Sequence, residues 1–181
     1  MEELAAQGEG RTEKKRFMGG RCLLRARKGV ALFFLLKCPI AIAVGTCAFA
    51  GHAFYGGAFF GRGRLFFMGV GLFAMAGGLL NNLQDRNLDE RFERTRWRKA
   101  VIGDVGTERL FLVVAGLFFG GLIAMATADS LAALFLALLG LVVYNGIYTP
   151  LKWRSFWAVI PGSLCGVAAF AAGWVGAGGG F

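Results

Sequence analysis

The stretch richest in chemistry runs from Gly77 to Arg98 and reads GGLLNNLQDRNLDERFERTRWR. Within it, Asn81, Asp85 and Asp89 fall at i, i+4 and i+8. On a helix such residues drift by only about 40° per step, at ~3.6 residues per turn, and so form one column. A carboxamide and two carboxylates in a column offer oxygen ligands to a hard cation such as Mg²⁺. That ion keeps several waters and shares itself with phosphate oxygens rather than filling an all-protein cage. Arg94 and Arg98 follow closely, and guanidinium groups pair with phosphate oxygens, bidentately where geometry allows. An acid column beside a basic cluster suits a charged head on an apolar tail. The same residues have a plainer reading, in which mixed charge anchors a helix end among lipid headgroups and the Asp–Arg pairs are solvated salt bridges. A lone D-x-x-x-D does not decide between the two.

The elements that must position these groups are membrane helices. The chain is 56% hydrophobic and only 17% charged, well outside the soluble balance. Nearly uncharged stretches at about 30–54, 65–83, 110–128, 131–149 and 156–177 reach or approach the ~20 apolar residues that cross a bilayer. The expected fold is therefore all-α and polytopic, with five spanning helices, Lys37 inside the first of them, and a loop over 84–109 carrying the motif. Residues 1–28 read as a basic tail whose end (Arg21, Arg25, Arg27, Lys28) lies on membrane lipid; residues 29–181 form the membrane domain.

Lys and Arg number eight before Val30, two in 61–64, seven in 84–109, none in 127–130 and two in 152–154, with Lys37 completing the twenty. Rich and poor segments alternate, so the positive-inside rule places the N-terminus in the cytoplasm and the carboxyl end, after five crossings, outside. The net charge of +9 is then a topology signal and not a nucleic-acid footprint. Glu2, Glu3, Glu9 and Glu13, with no short apolar run beside them, exclude a signal peptide. Cys22, Cys38, Cys47 and Cys165 form no C-x-x-C pair, which argues against metal or disulfide use. His52 reads as a packing residue. Gly116…Gly120 and Gly162…Gly166 are small-xxx-small faces for close helix contact, with room for a bulky lipid-like substrate as the other use of such glycines.

The motif resembles the first aspartate-rich segment of the UbiA-type intramembrane prenyltransferases, N-D-x-x-D-x-x-x-D followed by R-T-x-x-R-P. Here it reads Asn81, Asn82, Asp85, Asp89, then Arg94-Thr95, Arg98 and Lys99. Asn82 stands at the acidic second position, as in the haem O synthase branch of that family, and Lys99 stands where proline is usual. Lys37-Cys38-Pro39 with Thr46 and Gly51 is similar to the first-helix K-P-R…T…G pattern, with Ile40 in place of Arg. Tyr148-Thr149-Pro150-Leu151-Lys152-Trp153-Arg154 is similar to the branch's Y-T-x-x-L-K-R, one residue shorter before the leucine. Gly162…Gly166…Gly173-Trp174 keeps the spacing of G-G-x-x-G-A…G-W, with Ala169-Phe170 at the usual proline pair. The resemblance runs from about Leu36 to Trp174.

That resemblance implies a mechanism. Asp85 and Asp89, with Asn81, would hold Mg²⁺ against an isoprenoid diphosphate, while Arg94, Arg98, Lys152, Arg154 and Lys37 bind the diphosphate. The metal and the cations would absorb charge on the leaving group, and an allylic carbocation would be captured by an acceptor in the bundle; Tyr148 either faces that cation or belongs to an interfacial tyrosine belt. The acceptor is haem b in the haem O synthase branch, with farnesyl diphosphate as donor, and an aromatic ring in sister branches. The family's bundle has nine helices and a second aspartate-rich motif, and this chain reads as the front part of one in the cell (inner) membrane. The expectation is that the chain alone does not complete the reaction, and that further helices come from a second chain or a continuation, or else that it is a non-catalytic membrane subunit.

Overall fold

The computed structural model describes residues 29–89 and 91–180; the basic tail over 1–28 lies outside the described residues. Those residues fold into helices with no strand among them. Among the described residues four helices are long and apolar enough to cross a membrane, and a bent pair at the front passes the same test only when its two helices are taken together. The molecule is a polytopic membrane protein.

The first span differs from the unbroken helix that the sequence predicts over 30–54. It consists of α1 (Gly29–Leu35) and α2 (Cys38–Phe54), which meet at 46°. The break has a local cause. Pro39 has no N–H to give and its ring crowds the preceding turn, so it is tolerated only in the first turn of a helix. Lys37 therefore leaves the right-handed helix for a left-handed conformation (φ 53°, ψ 38°) and α2 restarts behind it.

α3 (Arg64–Asp89) runs 26 residues, against an expectation of 65–83 followed by a loop. It continues because its last turns are amphipathic: Asn81, Asn82, Asp85 and Asp89 face inward and are buried, while Gln84, Arg86 and Asn87 face out. At ~1.5 Å per residue such a helix is about 39 Å long, so its last turns extend past a hydrocarbon core of ~30 Å. The expected loop at 84–109 thus comprises the end of α3, a turn, and α4 (Arg96–Val105). The Thr95 hydroxyl donates to the Asp89 carbonyl at 3.0 Å and caps the end of α3.

α5 (Thr107–Thr127) and α6 (Leu131–Leu151) follow as an antiparallel pair. Ser130 caps α6 by accepting the Ala133 N–H at 3.3 Å. A π-helical turn, Val143–Tyr148, interrupts α6. After a short 3₁₀ turn, α7 (Val159–Gly176) completes the bundle.

α2 packs against α3 and α7, α3 against α5, and α6 against α7. Phe66, Val70, Phe73, Met125, Ala169 and Ala172 fill the centre. His52 is buried there, its ring 5.2 Å from that of Phe66. The closest backbone crossing joins α2 to α7, where a Cβ on Gly173 would lie 1.8 Å from the Ala48 carbonyl oxygen. Gly69 and Gly121 serve α3 and α5 in the same way. Of the glycine faces the spacing nominates, Gly162 and Gly120 meet a neighbour, with a Cβ there 3.2 Å from Tyr148 and 3.5 Å from Leu72, while a Cβ on Gly116 or Gly166 would meet nothing within 4 Å. A small-xxx-small pair marks where a helix can be approached; the bundle decides which neighbour comes. A second cluster of Leu35, Leu79, Leu83, Ile102 and Leu110 fastens α1, α3, α4 and α5 at the motif end.

Candidate functional site: a paired acid column above an apolar cavity

Asn81, Asp85 and Asp89 are 1%, 4% and 2% exposed, and each is met by a basic residue from another element. The Lys37 ammonium donates to Asn81 Oδ1 at 2.5 Å. Lys152 pairs with Asp85 Oδ2, and the Trp153 indole N–H donates to the other oxygen, Asp85 Oδ1, at 2.9 Å. Arg98 reaches both Asp89 oxygens, at 3.4 and 3.5 Å. Buried carboxylates are stable as ions only when paired and hydrogen-bonded in this way. Three cations (Lys37, Arg98, Lys152) against two carboxylates leave the cluster with one net positive charge.

A chain of neutral groups ties the column to α6. Asn81 Nδ2 donates to Thr149 Oγ1 at 2.9 Å, Thr149 donates to the Tyr144 carbonyl at 2.8 Å, and Lys37 also donates to the Tyr144 hydroxyl at 3.1 Å. The π turn makes this possible. Its extra residue per turn lets Thr149 bond back to Tyr144, five residues away, and sets the register of Thr149 and Lys152 against α3. Beyond α6, Trp153 stacks on Phe92 with ring centres 5.8 Å apart and planes at 20°. That stack ties the turn after α3 to the segment that holds Asp85.

Six of the residues nominated from the sequence thus come together: Asn81, Asp85, Asp89, Lys37, Arg98 and Lys152. Arg154 is exposed and borders an open polar pocket that also includes Asp85. Arg94 lies exposed in the turn between α3 and α4; among the described residues it makes no ion pair with the column, because Arg98, one helical turn later, takes that place on Asp89. Tyr148 stacks on Tyr144 at 5.3 Å with planes at 15°, and the Lys152 ammonium sits 5.8 Å from its ring. Tyr144, Thr149 and Trp153 gain their roles only from the fold. The sequence marks Thr149 only as part of the Y-T segment, and the one trace of Tyr144 in it is polarity inside an otherwise oily run, Leu131–Leu151.

An apolar cavity of about 250 Å³ opens among α2, α3, α6 and α7. It is bounded at the column by Lys37 and Tyr144 and deeper by Val44, Val70 and Ala169, with Gly166 in its wall. The polar pocket of about 510 Å³ lies on the other side, lined by Gln84, Asp85, Thr149, Trp153 and Arg154 among others. The column therefore separates an oily chamber from an open polar mouth. Among the described residues no group of three or more His, Cys, Asp and Glu could by itself hold a metal ion. Two carboxylates one turn apart, ringed by cations, fit an Mg²⁺ that shares its shell with substrate phosphates.

Residues 38–181 match the model of the UbiA prenyltransferase family, and the chain belongs to that family. Its similarity to particular relatives is narrower. It is 32% identical to the protoheme IX farnesyltransferase of Geobacter sulfurreducens over 145 residues, which cover 80% of this chain and 53% of that protein. It is 41% identical to the enzyme of the same name from Pseudomonas savastanoi pv. phaseolicola over 101 residues, covering 55% of this chain and 34% of the relative. With that from Yersinia pseudotuberculosis it shares 32% over 102 residues, 56% and 35% of the two chains. The chain spans between about a third and about half of the length of these relatives. No solved structure matches it.

Proposed function

We propose that this chain carries the donor site for transfer of a farnesyl group from its diphosphate to haem b, giving haem O, in a bacterial inner membrane with the N-terminus cytoplasmic. The observation that carries the reading is the placement of a net-positive polar column at the edge of an apolar cavity, a shape that complements an anionic head on a hydrocarbon tail. The names of the relatives supply the acceptor and the prenyl length.

Asp85 and Asp89, with the Asn81 oxygen beside them, would hold Mg²⁺, which neutralises diphosphate charge when bound. Lys37, Arg98 and Lys152 already point into the column, and on arrival of the diphosphate they exchange their carboxylate and amide partners for its oxygens. Preorganised donors of this kind stabilise the charge that builds on a leaving group. Arg154, on the rim, draws the anion toward the mouth, and Arg94 stays in the surrounding positive field. The cavity behind Lys37 and Tyr144 takes the prenyl tail and keeps water from the allylic carbon. The C1–O bond breaks with its electron pair leaving on diphosphate, and a C–C bond forms to the terminal carbon of a haem vinyl group. Water then adds to the resulting cation and releases a proton. The stacked Tyr144 and Tyr148 rings stand next to this path as cation-stabilising faces.

The test offers membranes containing the full chain farnesyl diphosphate, Mg²⁺ and either haem b or an aromatic quinone precursor. A haem whose mass has risen by one farnesyl group and one hydroxyl group, absent with Asp85→Asn, is the expected product. A prenylated aromatic ring with unchanged haem would transfer the assignment to that acceptor class. No product from either, with a second chain supplied, would leave a non-catalytic membrane subunit.

A further inference from the structure

The helix break at Lys37 leaves a specific defect. Leu35 ends α1, and its carbonyl would normally accept the N–H four residues later. That residue is Pro39, which has none. Leu35 is fully buried, so no water reaches its surroundings freely, and an orphaned buried carbonyl costs as much as a lost hydrogen bond. The missing donor comes from another helix: Asn82 Nδ2 donates to the Leu35 carbonyl at 2.6 Å. Asn82 is itself 0% exposed, and its own Oδ1 has no partner among the described residues. The side chain is thus held in the core for what it donates. A carbonyl can only accept, which fixes the orientation of the amide.

We infer that Asn82 is a positioning residue: its amide replaces the N–H that Pro39 lacks, holds the break between α1 and α2 against α3, and so places Lys37 in the column. The adjacent residues divide the work. Asn82 grips the backbone at Leu35 and Asn81 receives the Lys37 ammonium at 2.5 Å, so both ends of the break are referred to one turn of α3. The left-handed conformation of Lys37 (φ 53°) is unfavourable for a residue with a side chain and persists only where its surroundings hold it. Gly78, one turn before Asn82, gives the lysine stem its room: a Cβ there would lie 3.2 Å from Lys37 Cβ. In this chain the N–H donor at 82 thus answers the proline at 39. The functional half of this inference, that Lys37 meets a diphosphate, rests on the reading proposed above.

The experiment uses the purified full chain and two readouts. In the first, inorganic diphosphate with Mg²⁺ is titrated into the native protein, Asn82→Leu, Lys37→Met and the double variant. Leucine has the branched shape of asparagine and lacks the donor. Asn82→Leu is expected to weaken binding roughly tenfold, as when a ligand forfeits one charge-assisted hydrogen bond. It is expected to add nothing further in the Lys37→Met protein, because its effect passes through that lysine. In the second, melting temperatures complete a cycle between positions 39 and 82. Pro39→Ala restores an N–H, so the melting change caused by Asn82→Leu should be less destabilising by about 2–4 °C in that background. Undiminished loss of affinity in the Lys37→Met protein, or additive melting shifts, would overturn the inference. If the native chain binds no diphosphate, the proposed function falls and the melting cycle alone decides the role of Asn82.

Discussion

Asp85 has no free oxygen, with Lys152 on one and the Trp153 indole on the other, and this arrangement makes two predictions. Lys152→Met removes the one cation paired with that carboxylate among the described residues and leaves a buried charge; breaking such a pair costs about 3 kcal/mol, which denaturant unfolding in detergent would register. Adding Asp85→Leu should return most of that stability while diphosphate binding stays absent, so stability and function part company. Trp153→Phe keeps the stack on Phe92 and deletes only the N–H. The Mg²⁺ concentration needed for half-maximal diphosphate binding should rise about tenfold, as when an orienting partner of a metal ligand is removed, with Trp153→His restoring part of it. An unchanged metal requirement in Trp153→Phe would show that the indole only packs. At this scale the i, i+4, i+8 spacing makes the three column residues legible, and charge makes Lys37, Arg98 and Lys152 candidates. Trp153 is not legible, since an indole beside a lysine at a membrane helix end reads first as an interfacial anchor. That Arg98 rather than Arg94 pairs with Asp89 is not legible either, because sequence proximity to a carboxylate says nothing about which side of a turn an arginine leaves from.

Between residue and bundle, the π turn Val143–Tyr148 sets the register of everything that α6 brings to the column. Inserting one alanine after Gly146, which is exposed and has nothing within 4 Å of its Cβ position, adds a residue beyond the one that the π turn already absorbs. Thr149, Lys152 and Trp153 would then rotate by about 100° away from Asn81 and Asp85. The expected outcome is a chain that still inserts and melts cooperatively but no longer binds diphosphate in the presence of Mg²⁺. Retained binding would mean that the bulge is incidental. Hydropathy locates the four long apolar helices and the bent pair before them, because an apolar run of the right length admits few alternatives. It does not locate the bulge or the break at Lys37, since both depend on which backbone groups find donors on neighbouring helices. Pro39 announces the break, and Asn82, forty-three residues further along, completes it. The extra turns of α3 escape notice for a related reason: a polar stretch looks like a loop until one of its faces is known to be buried.

For the whole molecule, the arrangement is a bundle that holds a charged site at one end of an oily chamber, on the same side of the membrane as the basic segments. With Cys22, Cys38, Cys47 and Cys165 replaced by alanine, Gly103→Cys should react with an impermeant thiol reagent only from the cytoplasmic face, and Asp129→Cys only from the opposite one. Both positions are exposed; the reverse pattern would invert the topology and put the site where no cytoplasmic diphosphate could reach it. Charge counts alone supply an expected topology for that experiment to test, whereas they say nothing of the cavity, because glycines that line a chamber and glycines that join two helices look the same until the bundle is assembled. The most direct test of the central claim is a titration of farnesyl diphosphate into the purified chain with Mg²⁺, with a chelator, and with Asp85→Asn. Saturable binding that requires Mg²⁺ and weakens at least about tenfold in the variant is the predicted result. Equal affinity in chelator, or an Asp85→Asn protein that binds like the native one, would contradict the assignment of this column as the diphosphate site.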